Sequence, residues 1–308
     1  MPTAENISRQ TTNVLLPDNV SSEIWAKAVE SSAFMQLAHR VKIPGTGVKI
    51  QTITGEPQAG WVGETGTKPV SKHTFGNKTI TPYKMAVIEP FSEEFVRDKK
   101  ALYEECVDRL PASLSKLFDT TIMSSSAPGT GFDVLGTGVT KKTILSASQT
   151  SVYNRFVAVD AEISDHDGIM DAVALSPQGK SILLDAVDQV GHPLFTPGVG
   201  SNKIGNILGA DVAIAKGVYV AGAAGSPGTP AVVGVAGDFS GVRWGSVEGI
   251  KMSVSKEATL TYVNGSNETV TINLWQQNMI AIRFEIELAF AVMDKSQLVL
   301  LTGATPSA

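Results

Sequence analysis

Lys78-Thr79-Ile80-Thr81-Pro82-Tyr83-Lys84-Met85, followed shortly by Phe91-Ser92-Glu93-Glu94-Phe95, is the stretch on which the fold turns. Its first part alternates polar and apolar residues, the period of a strand with different surroundings on its two sides. Ser92 then offers a hydroxyl cap, with Glu93 and Glu94 in the first turn, where the helix dipole favours acids. Beyond it Phe95, Leu102, Cys106, Leu110, Leu114 and Leu117 recur at helical spacing to about Met123. That pattern predicts one long amphipathic helix of roughly 45 to 50 Å. Pro111 lies inside the span and removes a backbone hydrogen bond, so the helix is expected to kink or split there.

Upstream, Val48-Lys49-Ile50-Gln51-Thr52-Ile53 shows the same alternation, and the turn-rich segment from Glu56 to Pro69 between the two strands is too polar to bury itself. The whole predicts a long β-hairpin projecting from a body. Such an arm is marginal in water unless something covers it. Residues 1 to about 20 are polar and read as an extended arm that needs a neighbour to pack on. Ser21-Ser22-Glu23-Ile24-Trp25 then opens a short helix with serine at its cap.

Downstream, the glycine-rich segment from Ser124 to Gly138 reads as a loop, and residues 148 to 165 suggest a helix ended by the Asp167-Gly168 turn. Ala172 to Leu175 reads as a short buried strand, and Ser176-Pro177 as a helix start, before a further strand at Ile207 to Ile214. These place an α/β unit at about 150 to 237. The remainder reads as strands at Ile250 to Val254, Leu260 to Val263, Thr269 to Leu274, Ile280 to Leu288 and Leu298 to Leu301, with Asn264-Gly265 as the strongest hairpin signal. The fold class is α+β.

Composition narrows the function. The chain has 308 residues, 43% of them hydrophobic, enough to bury a sizeable core. Net charge is −5 and the cations are scattered, which argues against a dedicated nucleic-acid binder, because phosphate neutralisation needs clustered Lys and Arg. Cys106 is the one cysteine, so neither an intrachain disulfide nor a cysteine zinc site can form, and a reducing compartment is implied. The N-terminus lacks the pattern of a secretion signal and no apolar run is long enough to span a bilayer, so the product reads as cytoplasmic, without a membrane partner.

Catalytic and metal chemistry find no foothold. Gly179-Lys180-Ser181 looks like the end of a phosphate loop, but Ala174 stands where the upstream glycine belongs, and a first helical turn fits better. Asp165-His166-Asp167 crowds ligand types together with no second cluster to complete a site, so it reads as a polar turn. Histidines 39, 73, 166 and 192 are isolated. No enzyme, cofactor or metal is expected.

Three stretches, in order, resemble the major capsid proteins of tailed phages that share the Hong Kong 97 fold. The first is Trp61-Val62-Gly63-Glu64 with Phe75-Gly76, running through Ile80 to Ala86 into Phe91 to Phe95. The second is Ala174 to Pro177 through Gly191-His192-Pro193-Leu194-Phe195 and Ile207-Leu208-Gly209 to Val235-Ala236-Gly237-Asp238-Phe239-Ser240. The third is Asn278 to Glu285 with Phe290 to Asp294 and Leu298 to Thr302, which looks like terminal strands of the peripheral domain.

The resemblance implies an N-terminal arm and short helix at 1–44, an extended loop at 45–90, a peripheral domain with a spine helix at 91–149, an apical domain at 150–237 and peripheral return strands at 238–308. It implies hexamers and pentamers in an icosahedral shell around double-stranded phage DNA, assembled in the bacterial cytoplasm, with the loop lying over a neighbour. Portal and decoration proteins would be partners. Because the arm begins almost at Met1, scaffolding is expected as a separate protein, or as none. Trp25, Trp61, Glu64, Lys68 and Phe75 are the candidate intersubunit contacts, against the simpler reading in which each tryptophan closes its own local core. Some relatives join a loop lysine to a neighbour's asparagine; Lys68, Lys72 and Lys78 lie in the right region, yet solvated or ion-paired lysines are the better expectation. A bacterial encapsulin shell is the nearest alternative.

Overall fold

The structure, a computed structural model, describes residues 18–55, 59–68, 70–145, 152–187, 190, 192–195, 206–225 and 228–304. The expected arm before residue 18 lies outside them. Helix α1 (Asp18–Ser31) begins before the serine pair expected to cap it, and Ser32 ends it by capping α2 (Ala33–Leu37), its hydroxyl accepting from the Met35 N–H. β1 (His39–Lys42) follows, and then the hairpin of β2 (Val48–Gly55) and β3 (Thr74–Ile80), paired from Val48 opposite Ile80 to Gly55 opposite Thr74.

The alternation expected as one strand through Met85 is divided at Thr81-Pro82. Pro82 has no N–H to donate to a ladder, and the Thr81 N–H goes to the Gly131 carbonyl at 2.9 Å. β4 (Tyr83–Ser92) therefore leaves the hairpin and pairs along its whole length with the strand Met279–Val292. The projecting hairpin thus ends at Ile80 rather than near Pro90.

The predicted single helix is also two, but not at the proline. α3 (Glu93–Asp98), capped by Ser92 as expected, closes where the Lys99 N–H meets the Phe95 carbonyl, and α4 (Lys100–Met123) runs on through Pro111. Leu110, Leu114, Phe118 and Ile122 form its buried stripe. This packing, with the Ser115 hydroxyl donating to the Ala28 carbonyl at 2.7 Å, offsets the one bond that Pro111 cannot make. Leu102, half exposed, lies off this core, whereas Cys106 and Val107 already pack against it.

Next come β5 (Thr140–Thr143), just after the expected loop, then α5 (Val152–Ser164), β6 (Ala172–Leu175) and α6 (Pro177–Leu184). Ser176 caps α6 by accepting from the Gly179 N–H, so the phosphate-loop lookalike is a first helical turn. β7 (Asn206–Ile207), β8 (Ala210–Ile214), β9 (Val232–Gly237), β10 (Val242–Ser246) and β11 (Lys251–Ser255) lead to the hairpin of β12 (Thr259–Val263) and β13 (Thr269–Asn273), and the chain closes with β14 (Met279–Val292) and β15 (Leu298–Thr302).

Two larger sheets result. In the five-stranded one, β4, β10 and β11 each pair antiparallel with β14, and β1 adds parallel to β10. The six-stranded one has the order β5-β15-β9-β6-β8-β7. β15 does not return beside β14, as the expected 238–308 unit requires, but lies between β5 and β9. Its residues are buried on both faces: Leu298 and Leu300 enter the main core, Val299 and Leu301 the core under α5 and α6. Such a run fits a sheet covered on both sides. β14 instead buries Ile282, Phe284, Ile286, Leu288, Phe290 and Val292 in the main core, while the intervening Arg283 is exposed and Glu285 and Glu287 are half-exposed.

The Phe290 ring lies edge-on to Phe34 at 5.5 Å and Phe118 at 6.3 Å, and tilted to Phe132 at 6.2 Å, joining α2, α4 and the loop after α4 to β14. Beside it Asp119, fully buried on α4, accepts from the Ser32 hydroxyl at 2.5 Å and the Ala33 N–H at 3.0 Å. Burial raises its carboxyl from 3.8 to about 7, against the lowering effect of those hydrogen bonds. The base of the β2–β3 hairpin is equally fixed. Ile80 is buried with Ile43, Ala289 and Ala291; the Lys78 ammonium pairs with Asp133 at 2.8 Å; and Asp133 also accepts from the Val292 N–H at 2.9 Å. Gly131 approaches Thr81 so closely, at a φ of +85°, that a Cβ would sit 2.5 Å from the Thr81 hydroxyl oxygen.

Phe290→Ala is expected to destabilise the fold by about 3 to 5 kcal/mol, read from the denaturant midpoint. Gly131→Ala should cost about 1 to 2 kcal/mol for the left-handed backbone alone and speed hydrogen exchange at residues 74–83, where an unchanged exchange rate would show the clamp to be unimportant. Between pH 3.8 and about 7 the folded Asp119 holds a proton that the unfolded chain releases, so this group's contribution is complete at the lower value and is lost as pH rises through the upper one. Thermal melts across that window should flatten in Asp119→Asn; an unaltered pH slope would refute the assignment.

Candidate functional site

Beyond its clamped base, the β2–β3 hairpin carries apolar side chains out into solvent. The seven residues of β3 span about 23 Å at about 3.3 Å each, and residues 59–68 and 70–73, between the two strands, lie outside helix and strand. A tight turn, Gly66 N–H to Gly63 carbonyl at 3.0 Å, shapes the tip. Trp61 is 106% exposed, Val70 91% and Phe75 71%. Full burial of one such side chain is worth about 1.5 to 3 kcal/mol, a gain that the isolated chain forgoes at each position. Trp61 and Val70, between the two strands, and Phe75 on β3 are thus candidates for an interaction surface.

The expected contact residues divide. Trp61, Glu64, Lys68 and Phe75 all lie on this hairpin and its coil, and all four are exposed. Trp25 is elsewhere and already engaged: its ring lies 6.1 Å from Trp244, and the Arg40 guanidinium sits 5.0 Å from the Trp25 ring and 5.5 Å from the Trp244 ring. The Trp244 indole N–H donates to the Ala38 carbonyl at 3.1 Å. That geometry gives Trp25 a role in holding α1 on β1 and β10 through cation–π and ring contacts. Of the loop lysines, Lys78 is ion-paired, its ammonium 2.8 Å from Asp133.

A second projecting element was not anticipated as a surface. In β12–β13, Thr261 faces Thr271 on one side, while Leu260, Tyr262, Val270 and Ile272 share the other. Ile272 and Leu274 are buried near the root, yet Tyr262, Val263 and Trp275 remain 46, 60 and 74% exposed. The period-2 split between threonine and apolar positions was legible in the sequence and is the signal that could have found it. The Asn264-Gly265 pair does mark a hairpin, but the loop runs to Glu268, and Asn267, at a φ of 62°, takes the left-handed residue's place. Asn264 holds this loop by accepting from the Ser266 and Glu268 N–H groups.

Among the described residues no three His, Cys, Asp or Glu side chains converge as a metal site requires. The exposed side chains of both hairpins offer shape and apolar area to a partner rather than titratable groups.

The chain is similar to proteins already known. Mycobacterium phage D29 has a probable major capsid protein that is 30% identical over 300 residues, covering 92% of this chain and 88% of the relative. Its counterpart from Mycobacterium phage L5 is 29% identical over 309 residues, covering 92% and 87%. A solved chain from Mycobacterium phage Adephagia shares the fold, with a TM-score of 0.70 at 20% identity over 98% of this chain and 100% of that one. The model of the phage capsid family matches residues 12–303, nearly the whole length, and this chain belongs to that family.

Proposed function

We propose that this protein is the major capsid protein of a tailed phage, and that its copies form hexamers and pentamers that close into an icosahedral shell around double-stranded DNA. The observation that carries this reading is the β2–β3 hairpin, held rigidly at Asp133 and Gly131 while Trp61 and Phe75 stay uncovered. A monomer gains nothing from that arrangement, whereas neighbouring copies can bury the side chains between them. Within this reading β2–β3 is the extended loop and α4 the spine helix. The five-stranded sheet forms the peripheral region and the six-stranded sheet with α5 and α6 the apical one.

The family is structural and is not an enzyme class. A net charge of −5 with dispersed cations suits a container that holds DNA by closure rather than by sequence-specific contact. Assembly in the bacterial cytoplasm, with portal, scaffolding and decoration proteins as partners, belongs to the same proposal. The relatives are named as phage capsid proteins, which weighs against an encapsulin compartment.

Electron microscopy and sedimentation of the purified protein test the reading. Shells or five- and six-membered rings are the expected outcome, and a monomer that persists at high concentration would overturn it.

A further inference from the structure

We propose that Asn264, in the loop of the β12–β13 hairpin, is a self-modification site: the Gly265 amide nitrogen attacks the Asn264 carboxamide, and water completes its conversion to aspartyl and isoaspartyl forms. Such a step needs only the folded chain and water, so it holds whether or not copies assemble. Asn264-Gly265 is the one Asn-Gly pair in the sequence. Turning the hairpin leaves the chemistry of that pair unused.

The loop presents nucleophile and electrophile together. Gly265 is exposed, and among the described residues its N–H meets no hydrogen-bond partner. No Cβ crowds that nitrogen, and the space a Cβ would occupy is open to 4 Å. The next N–H groups instead converge on the carboxamide. Asn264 Oδ1 accepts from Ser266 at 3.0 Å and from Glu268 at 2.9 Å. Two N–H donors on one carbonyl oxygen stabilise the negative charge that collects there when a nucleophile adds, as an oxyanion hole does. Asn264 Nδ2 donates to the Glu268 carboxylate at 3.0 Å. An anion at that position favours the protonated form of the nitrogen that must depart. The Asn264 N–H to the Glu268 carbonyl at 2.9 Å, and the Asn267 N–H to the Asn264 carbonyl at 3.0 Å, hold the loop in this arrangement.

The conversion balances with water as its one reagent, and nothing is oxidised or reduced. The Gly265 N–H gives its proton to solvent base, its nitrogen bonds to Asn264 Cγ, and the Cγ–Nδ2 bond breaks as the nitrogen takes a proton from water and leaves as ammonia. Water then opens the five-membered imide. Cleavage at Cγ restores the main chain and leaves an aspartyl carboxylate. Cleavage at the Asn264 main-chain carbonyl routes the chain through Cγ and adds a methylene to the loop. Either product puts a new carboxylate into the loop that holds Glu268 and removes the amide that donated to it, so the tip gains a negative charge beside the exposed Val263.

Peptide mapping by mass spectrometry of the purified full chain, kept folded at neutral and mildly alkaline pH, decides it. Residue 264 should gain the mass of an amide-to-acid exchange and give aspartyl and isoaspartyl peptides that separate by chromatography, while Asn77, Asn206 and Asn278 keep their amides over the same period. The rate should rise with pH, because the attacking nitrogen must lose its proton. Gly265→Ala adds a methyl group in open space, at a backbone position without positive φ. It should slow the conversion about tenfold or more, the equivalent of about 1.4 kcal/mol in the barrier. Asn264→Ser, whose hydroxyl still offers the loop an acceptor, should abolish the acidic species. An Asn264 that remains an amide at alkaline pH, or a Gly265→Ala chain that converts as fast as the wild type, overturns the proposal. Conversion seen only after unfolding in guanidinium chloride also overturns it, since the two N–H contacts on Oδ1 belong to the folded loop.

Discussion

The packing of Phe290 is the contact on which the rest of the molecule depends. Its ring meets Phe34 from α2, Phe118 from α4 and Phe132 from the loop after α4, so four separate segments share one edge-to-face cluster. The Asp133 N–H donates to the Phe290 carbonyl at 3.0 Å, and the Asp133 carboxylate accepts from Val292 and pairs with Lys78 on β3. The same few residues that close the core thus also fix the root of the projecting hairpin. A core rigid at this point transmits its position outward, because packed interiors do not deform continuously.

Local periodicity made the individual elements legible. The split of β3 from β4, the halves of the long helix and the α5–α6 unit all lie within stretches whose residue types announced strand or helix. What the sequence withheld was partnership. Leu298 to Leu301 is an unbroken apolar run, which says that both faces are covered but not by whom; the answer, β5 and β9, lies far away along the chain. Trp25 reads as a free anchor until Trp244 and Arg40 arrive from other strands.

The helix break shows the same limit in another form. Pro111 carries the strongest intrinsic signal against helix, yet tertiary packing of Leu110 and Leu114 overrides it. Lys99 carries no such signal and nevertheless ends a helix, because α3 is held by stacking of Phe95 on Phe91 at 6.0 Å, while α4 follows its own buried stripe. Of the candidate contacts, the four on the hairpin were readable because an arm too polar to bury itself must expose whatever apolar residues it carries.

An arm of this design behaves differently from a flexible tail. A disordered segment that docks on a neighbour must lose about 1 to 2 kcal/mol of backbone entropy per residue at that moment. Here the β2–β3 ladder, Ile80 in its small core and the Lys78 to Asp133 pair have already ordered the strands before any neighbour arrives. The area buried at Trp61 and Phe75 then counts toward association with less offset. A hairpin ordered at its root also fixes the direction in which Phe75 leaves the body that carries it, and that direction is set within a single chain by Thr81-Pro82 and the close approach of Gly131.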